Sequence, residues 1–489
     1  MKSRQSNTQK AVKGISSQTL VTVMLGLVEI ISFSIMSRLL SVQDFGYYAA
    51  MSAILVVFNS FAETGIGSAI IHRKEVDQKF INNAFTLALS FGVIISLSLF
   101  FLSDYLAILV VDESMGQPLK LMSLTILCHC MTSPYVSVLQ KKLKFMTIGY
   151  VNLISLVVTT IIAIILAYNG FGYYAIIAKV VSGSVFTLIL SAVISKVRFS
   201  LAWDKNIIKS IWNYSGWLMA SVIFRNFSQQ ADRLLMSKLL SVEMLGSYNR
   251  PKEFINQISS KVNGIFDTAL FPVLSTIQDN MASLQRSLSK SVYFLNLFSI
   301  YLAVAFIYNA EFIIRIFFGI DWLHLVGVFQ LLCVAIIFNI DGRLSDCYLR
   351  SLGLTKAQFY FRILETIVKF GGVIIGAQYG IYGVSIAVVF ANFVMIFIKL
   401  SYITRHINYP FGNILMTIIH SWKSMLIFIP VCVVASLLLP SNIGGDIVKM
   451  IVFVLVSFTL FLVFPSIIGK EYKEQMYPRV ITIVKKRKI

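Results

Sequence analysis

Apolar runs of roughly 20 residues, each long enough to cross a hydrocarbon core of about 30 Å, recur along this chain from Ile15 to Ile468. The polar gaps between them are short, and none can hold a soluble domain. Such a pattern leaves only membrane-spanning helices, because a backbone in lipid must satisfy its own hydrogen bonds. Composition agrees: of 489 residues, 57% are hydrophobic and 13% charged, with a mean hydropathy of +0.80. A soluble chain of this size needs more charge to cover its surface.

The expected architecture is an all-α polytopic membrane protein with about fourteen transmembrane helices. Spans are predicted over 15–37, 44–68, 82–103, 119–139, 148–168 and 173–195, then 213–237, 247–273, 290–310, 325–349, 358–378, 382–400, 422–439 and 447–468. The formal net charge of +20 follows topology rather than nucleic-acid binding. Lys and Arg fall in alternate gaps (Arg73, Lys74 and Lys79; Lys141, Lys142 and Lys144; Lys196, Arg198, Lys205 and Lys209), whereas 104–118, 169–172, 379–381 and 440–446 contain none. This alternation places both termini in the cytoplasm. The basic leader before the first run lacks a small-residue cleavage site, so that run is expected to be retained as a span.

An internal repeat organises the spans. Met36-Ser-Arg-Leu-Leu-Ser-Val-Gln-Asp-Phe-Gly-Tyr-Tyr48 returns as Met236-Ser-Lys-Leu-Leu-Ser-Val-Glu-Met-Leu-Gly-Ser-Tyr248. A weaker echo pairs Gly170-Phe-Gly-Tyr-Tyr with Gly380-Ile-Tyr-Gly-Val. An offset of six spans in the same orientation implies two parallel six-helix lobes plus two C-terminal helices. The expected divisions are a cytoplasmic N-terminus 1–14, a first lobe 15–195, an inter-lobe loop 196–212, a second lobe 213–400, the last two spans within 401–468, and a basic cytoplasmic tail 469–489.

Charged side chains are costly at mid-membrane, so those inside spans normally face protein or a watery cavity. Helical spacing puts Arg225, Gln229, Asp232 and Met236 on one face of the seventh span, with Asn226, Gln230 and Arg233 beside them. The eighth span carries Arg250, Glu253, Gln257 and Lys261. The tenth carries Asn339, Arg343, Asp346 and Arg350, and the eleventh Arg362, Glu365 and Lys369. The substrate-cavity candidates are Arg225, Asn226, Gln229, Arg250, Lys261, Arg343 and Arg362, whose cationic members suit a phosphate or an acidic sugar. Glu29, Glu63 and Asp232 are the ion-coupling candidates. The bland alternative is that these groups pair between helices and fix packing. His129 reads as a satisfied interior histidine, and the five cysteines as buried thiols rather than a disulfide or zinc framework. No P-loop, His-Glu-x-x-His or Gly-x-Ser-x-Gly motif is present, so neither an enzyme nor a metal or cofactor is expected.

Three stretches carry a resemblance. Phe61-Ala-Glu-Thr-Gly-Ile-Gly-Ser-Ala-Ile-Ile-His-Arg-Lys-Glu75 with Asn82-Asn-Ala-Phe85 resembles the second-span exit of Wzx-type oligosaccharide flippases in the polysaccharide transporter family. Leu139-Gln-Lys-Lys-Leu-Lys-Phe145 is similar to that family's loops, especially in its colanic and teichuronic acid exporter branch. So are Arg225-Asn226, Asp232-Arg-Leu-Leu and Leu245-Gly-Ser-Tyr-Asn249. The resemblance spans about residues 10–400 and belongs to the superfamily that also holds multidrug extruders and lipid II flippases. It implies a multi-pass protein of the bacterial cytoplasmic membrane. Its implied task is moving undecaprenyl-pyrophosphate-linked oligosaccharide repeat units to the outer leaflet by alternating access, for cell-surface polysaccharide biosynthesis. The implied partners are that lipid-linked oligosaccharide, membrane lipids, and polymerase and assembly proteins, with no nucleic acid. Alternatives are an ion-coupled drug or cation antiporter of the same fold, against which Arg225, Arg250 and Arg343 count, a membrane-embedded polysaccharide-assembly enzyme, or a scaffold.

Overall fold

A computed structural model describes residues 2–62, 66–73, 77–278, 280–425 and 443–463, without the side chains of 2–20, 212–221 and 261–269 among others. These residues are helical almost throughout. The first eight α-helices are α1 (Lys2–Leu39), α2 (Val42–Ala62), α3 (Ile66–His72), α4 (Gln78–Val110), α5 (Gly116–Lys141), α6 (Phe145–Tyr168), α7 (Tyr173–Ser195) and α8 (Lys205–Leu239). Eight more follow: α9 (Val242–Thr276), α10 (Met281–Tyr308), α11 (Ala310–Phe317), α12 (Val326–Ser351), α13 (Thr355–Ala377), α14 (Gly380–His406), α15 (Phe411–Met425) and α16 (Ile443–Val463).

Eight described helical stretches are long and apolar enough to cross a membrane. Each coincides with a predicted span. Of the remaining predictions, those at α8, α9 and α13 carry the charged stripes, which lower their hydropathy. The predicted second span falls on α2 and α3, with residues 63–65 outside the described residues; the thirteenth and the basic tail lie mostly outside them too, and the fourteenth falls on α16. The chain is a multi-pass, all-α membrane protein.

The chain divides into two compact units, Met1–Asn249 and Arg250–Ile489. In the first, α4 packs on α5, α5 and α6 on α7, and α1 on α6, while α8 lies against α2, α3 and α4. The first unit thus takes in α8, which packs with helices that precede it in the chain. In the second unit α12 packs on α10 and α14, α13 on α14, and α10 on α15.

The repeat seen in sequence has a physical counterpart inside the first unit. A Cβ at Gly46 would lie 1.9 Å from the Val242 carbonyl oxygen, and one at Gly246 would lie 2.1 Å from the Val42 oxygen. The matching glycines of the two copies thus let α2 and the first turns of α9 meet backbone to backbone. The weaker echo also has a cause. Gly170 and Gly380 both adopt left-handed φ, +81° and +67°, where the chain turns between helices.

The 196–204 segment is fastened to the start of α4. Asn82 Nδ2 donates to Ser200 Oγ at 2.7 Å, and the Asp204 and Ala202 amides donate to Asn83 Oδ1 at 2.6 Å and Thr86 Oγ1 at 3.0 Å. Phe85 stacks on Phe199 with centroids 5.0 Å apart. Beneath them α3, α4, Val138 and Ile211 share one apolar core. Asp204 caps α8 through the Asn206 amide at 3.0 Å. Its carboxyl is held below the usual range by its hydrogen bond to Lys79 and by the Ile207 and Asn206 amides.

Candidate functional site

The α8 stripe splits into two kinds of residue. Arg225 and Gln229 are exposed, whereas Asn226, Asp232 and Met236 are buried. Asn226 Nδ2 donates to Ser60 Oγ of α2 at 2.9 Å, and Arg225 Nε lies 3.4 Å from Asn226 Oδ1. Asp232 accepts the Arg233 amide at 3.0 Å and the Tyr248 hydroxyl at 3.3 Å. Sequence spacing puts these side chains on one side of the helix, but packing against α2 turns only part of that side inward. The guanidinium of Arg225 and the amide of Gln229 remain presented, one turn apart.

Elsewhere in the first unit, Glu29 is half-buried on α1. One turn on, Ser32 Oγ accepts from Lys179 of α7 at 2.5 Å. Lys179 was not singled out by the sequence, although it obeys the same rule for cations inside apolar spans. Glu63 lies outside the described residues. His129 is exposed on α5, which corrects its reading as an interior histidine. Cys128, Cys130, Cys333 and Cys347 are buried free thiols.

In the second unit the charges form a closed set. Asp346 of α12 meets Arg362 of α13 at 2.5 Å and Lys399 of α14 at 3.2 Å. Glu365 meets Lys369 at 2.7 Å, Lys399 at 3.3 Å and Arg362 at 3.5 Å. Three cations and two carboxylates, 5–22% exposed, thereby join three helices. Arg362, read from the sequence as a cavity residue, is committed to this network, and its guanidinium is shared between two acids. Arg250 is buried and pairs with Glu253 at 3.2 Å, whereas Arg343 is exposed on α12. The side chain of Lys261 lies outside the described residues. Lys399, the residue that ties both carboxylates together, is absent from the sequence-derived candidates. Its position in an otherwise apolar run was the signal available.

A second buried acid on α12 behaves differently. Asp341 Oδ1 accepts one hydrogen bond, from Asn296 Nδ2 of α10 at 3.0 Å. The Asn296 carbonyl in turn accepts from Trp422 Nε1 at 3.3 Å. Asp341 and Asp346 lie five residues apart, so they face different neighbours.

A sequence profile of the family described as polysaccharide biosynthesis protein matches residues 35–327, more than half of the chain. The chain belongs to that polysaccharide biosynthesis protein family. The matched stretch contains the α8 stripe, and it ends before the α12–α14 network. Among relatives, the lipopolysaccharide biosynthesis protein WzxC of Escherichia coli is 21% identical over 76% of both chains. The teichuronic acid biosynthesis protein TuaB of Bacillus subtilis is 19% identical over 72% of this chain and 74% of its own. Among solved structures, the lipid II flippase MurJ in an inward closed conformation aligns with a TM-score of 0.72 at 14% identity, covering 91% of this chain and 98% of that one. A multidrug resistance MATE transporter in an inward-facing conformation aligns at 0.64 over 80% and 94%, also at 14% identity. The polysaccharide biosynthesis family member thus shares a fold with both flippases and extruders.

Proposed function

We propose that this protein is a flippase that carries undecaprenyl-pyrophosphate-linked oligosaccharide repeat units across the bacterial cytoplasmic membrane for cell-surface polysaccharide biosynthesis. The observation that carries this reading is the exposed Arg225–Gln229 pair on α8, a predicted span inside the family-matched segment. A guanidinium held there without burial can take phosphate oxygens by charge-assisted hydrogen bonds, and a neighbouring amide can take sugar hydroxyls. Relatives named for lipopolysaccharide and teichuronic acid biosynthesis support the polymer context, and a fold neighbour named as a lipid II flippase supports a lipid-linked cargo.

In this reading the lobes 15–195 and 213–400 alternate access, both termini lie in the cytoplasm, and polymerase and assembly proteins receive the product. The test is transfer of undecaprenyl-pyrophosphate-linked oligosaccharide between leaflets of proteoliposomes. The protein should accelerate transfer, and Arg225→Ala should slow it by about tenfold, the equivalent of ~1.4 kcal/mol, without loss of the folded state. Efflux of small organic cations with no lipid transfer would replace the flippase with an antiporter.

A further inference from the structure

The two buried acids of α12 pose a chemical contrast that the packing role of the charge network does not absorb. Asp341 and Asp346 are almost equally buried, 5% and 4% exposed. Asp346 is compensated by a guanidinium and an ammonium. Asp341 has one neutral amide donor on its carboxylate and no cation among the described residues.

Depth sharpens the contrast. At 1.5 Å per residue, Asp341 lies about 15 Å from the C-terminal end of α12, near the middle of a span. Asn296 sits near the middle of α10, also a span. A carboxylate at that depth with a single amide donor is a poor resting state, because desolvation is uncompensated. A carboxylic acid there is a good one: it accepts from Asn296 and is free of net charge.

The charged groups on the elements packed against α12 are paired elsewhere or exposed. Arg362, Lys369 and Lys399 of α13 and α14 are held by Asp346 and Glu365. On α11, Arg315 pairs with Glu311. Arg286 and Lys290 of α10 are exposed, six or more residues before Asn296, and His324 of the short 3-10 helix Ile320–Leu325 bonds the Asp321 carbonyl. Arg343, on the same helix as Asp341, is exposed. A sodium ion would need several oxygen ligands, and the amide of Asn296 turns its nitrogen, not its oxygen, to Asp341.

We propose that Asp341 is the coupling residue of transport, and that the ion it carries is a proton, held while α10 covers it and released to water when α10 and α12 part. This rests on the transport reading above and adds to it the ion and the residue. Asp341 is distinct from Glu29, Glu63 and Asp232, the acids that sequence spacing picked out.

Two measurements on the full-length protein in lipid separate the proposal from that reading. Infrared difference spectra of wild type against Asp341→Asn should show a carboxylic-acid carbonyl band at neutral pH that the variant lacks. Asn296→Ala should keep that band and shift it, since the carbonyl loses its donor. In proteoliposomes, an imposed proton gradient should stimulate wild-type lipid transfer, and in Asp341→Asn the rates with and without the gradient should coincide.

A carboxylate signature for Asp341 at neutral pH, undiminished proton stimulation in Asp341→Asn, or stimulation of the wild type by a sodium gradient instead would each overturn the proposal. If the wild type moves no lipid-linked oligosaccharide at all, the flippase reading fails, and the infrared band still decides whether Asp341 holds the proton.

Discussion

Two ion pairs of nearly equal length in this protein have very different worth. Lys79 and Asp204 approach to 2.6 Å with their side chains 64% and 27% exposed. Arg362 and Asp346 approach to 2.5 Å at 20% and 5%. The first pair can exchange its partner for water at little cost. The second cannot, because it shares its carboxylate with Lys399 inside a set where each group would otherwise be a stranded charge. Distance alone therefore says little about an ion pair in this fold. What matters is what replaces the partner when it is removed.

The most severe way to test this is Lys399→Met. It leaves Asp346 and Glu365 to share two cations and should cost about 3–5 kcal/mol, the usual penalty for breaking a buried pair from one side. The unfolding midpoint in detergent, followed by size-exclusion fluorescence, should drop accordingly, and adding Asp346→Asn should restore part of it. A loss no greater than that of a surface mutation would mean the network is open to water.

Between the extremes lies a neutral contact. Asn226→Ala removes the hydrogen bond to Ser60, which keeps its own bond to the Val56 carbonyl. The expected loss is about 1 kcal/mol, as for an ordinary intramolecular hydrogen bond. A drop matching that of Lys399→Met would break the comparison by showing that charge is not what sets the scale.

The smallest effect belongs to Asp204→Asn, which keeps the helix cap and removes only the charge. Because the folded carboxyl titrates below its unfolded range, its stabilisation is present at neutral pH and is lost as the pH falls through the folded value, below about 4. Thermal stability of wild type and variant should differ slightly at neutral pH and converge on acidification. A difference that widened in acid would reverse the sign of the linkage.

The sequence disclosed what depends on local spacing. Arg362, Glu365 and Lys369 pair at the i+3 and i+4 steps their numbering implies. The apolar runs located the spans, and the quoted loops pointed to the family that the profile match identifies. What it concealed depends on contacts between distant segments. Lys399 lies 53 residues from Asp346, and no periodicity links them. The inward turn of Asn226 is set by Ser60, 166 residues away. The role of Asn82 and Asn83 likewise appears only when the 196–204 segment lies along α4. Arg225 and Arg362 look equivalent in sequence, yet Arg225 is exposed whereas Arg362 is shared between Asp346 of a neighbouring helix and Glu365 of its own.

The reciprocal meeting of Gly46 with Val242 and Gly246 with Val42 has the form of an isologous interface, in which the same patch is used twice and each residue's contact is returned by its counterpart. Ordinarily two separate copies of a protein build such a contact. Here one polypeptide contains both partners, so the association cannot be diluted away and its strength no longer depends on concentration. The two copies are thereby released from identity: the carboxylate of Asp44 in the first fastens Ser41 and the Tyr173 amide, while Met244 of the second, with no carboxylate, meets Ser241 through its backbone amide. A fused homodimer can keep its axis and still let its halves acquire different work.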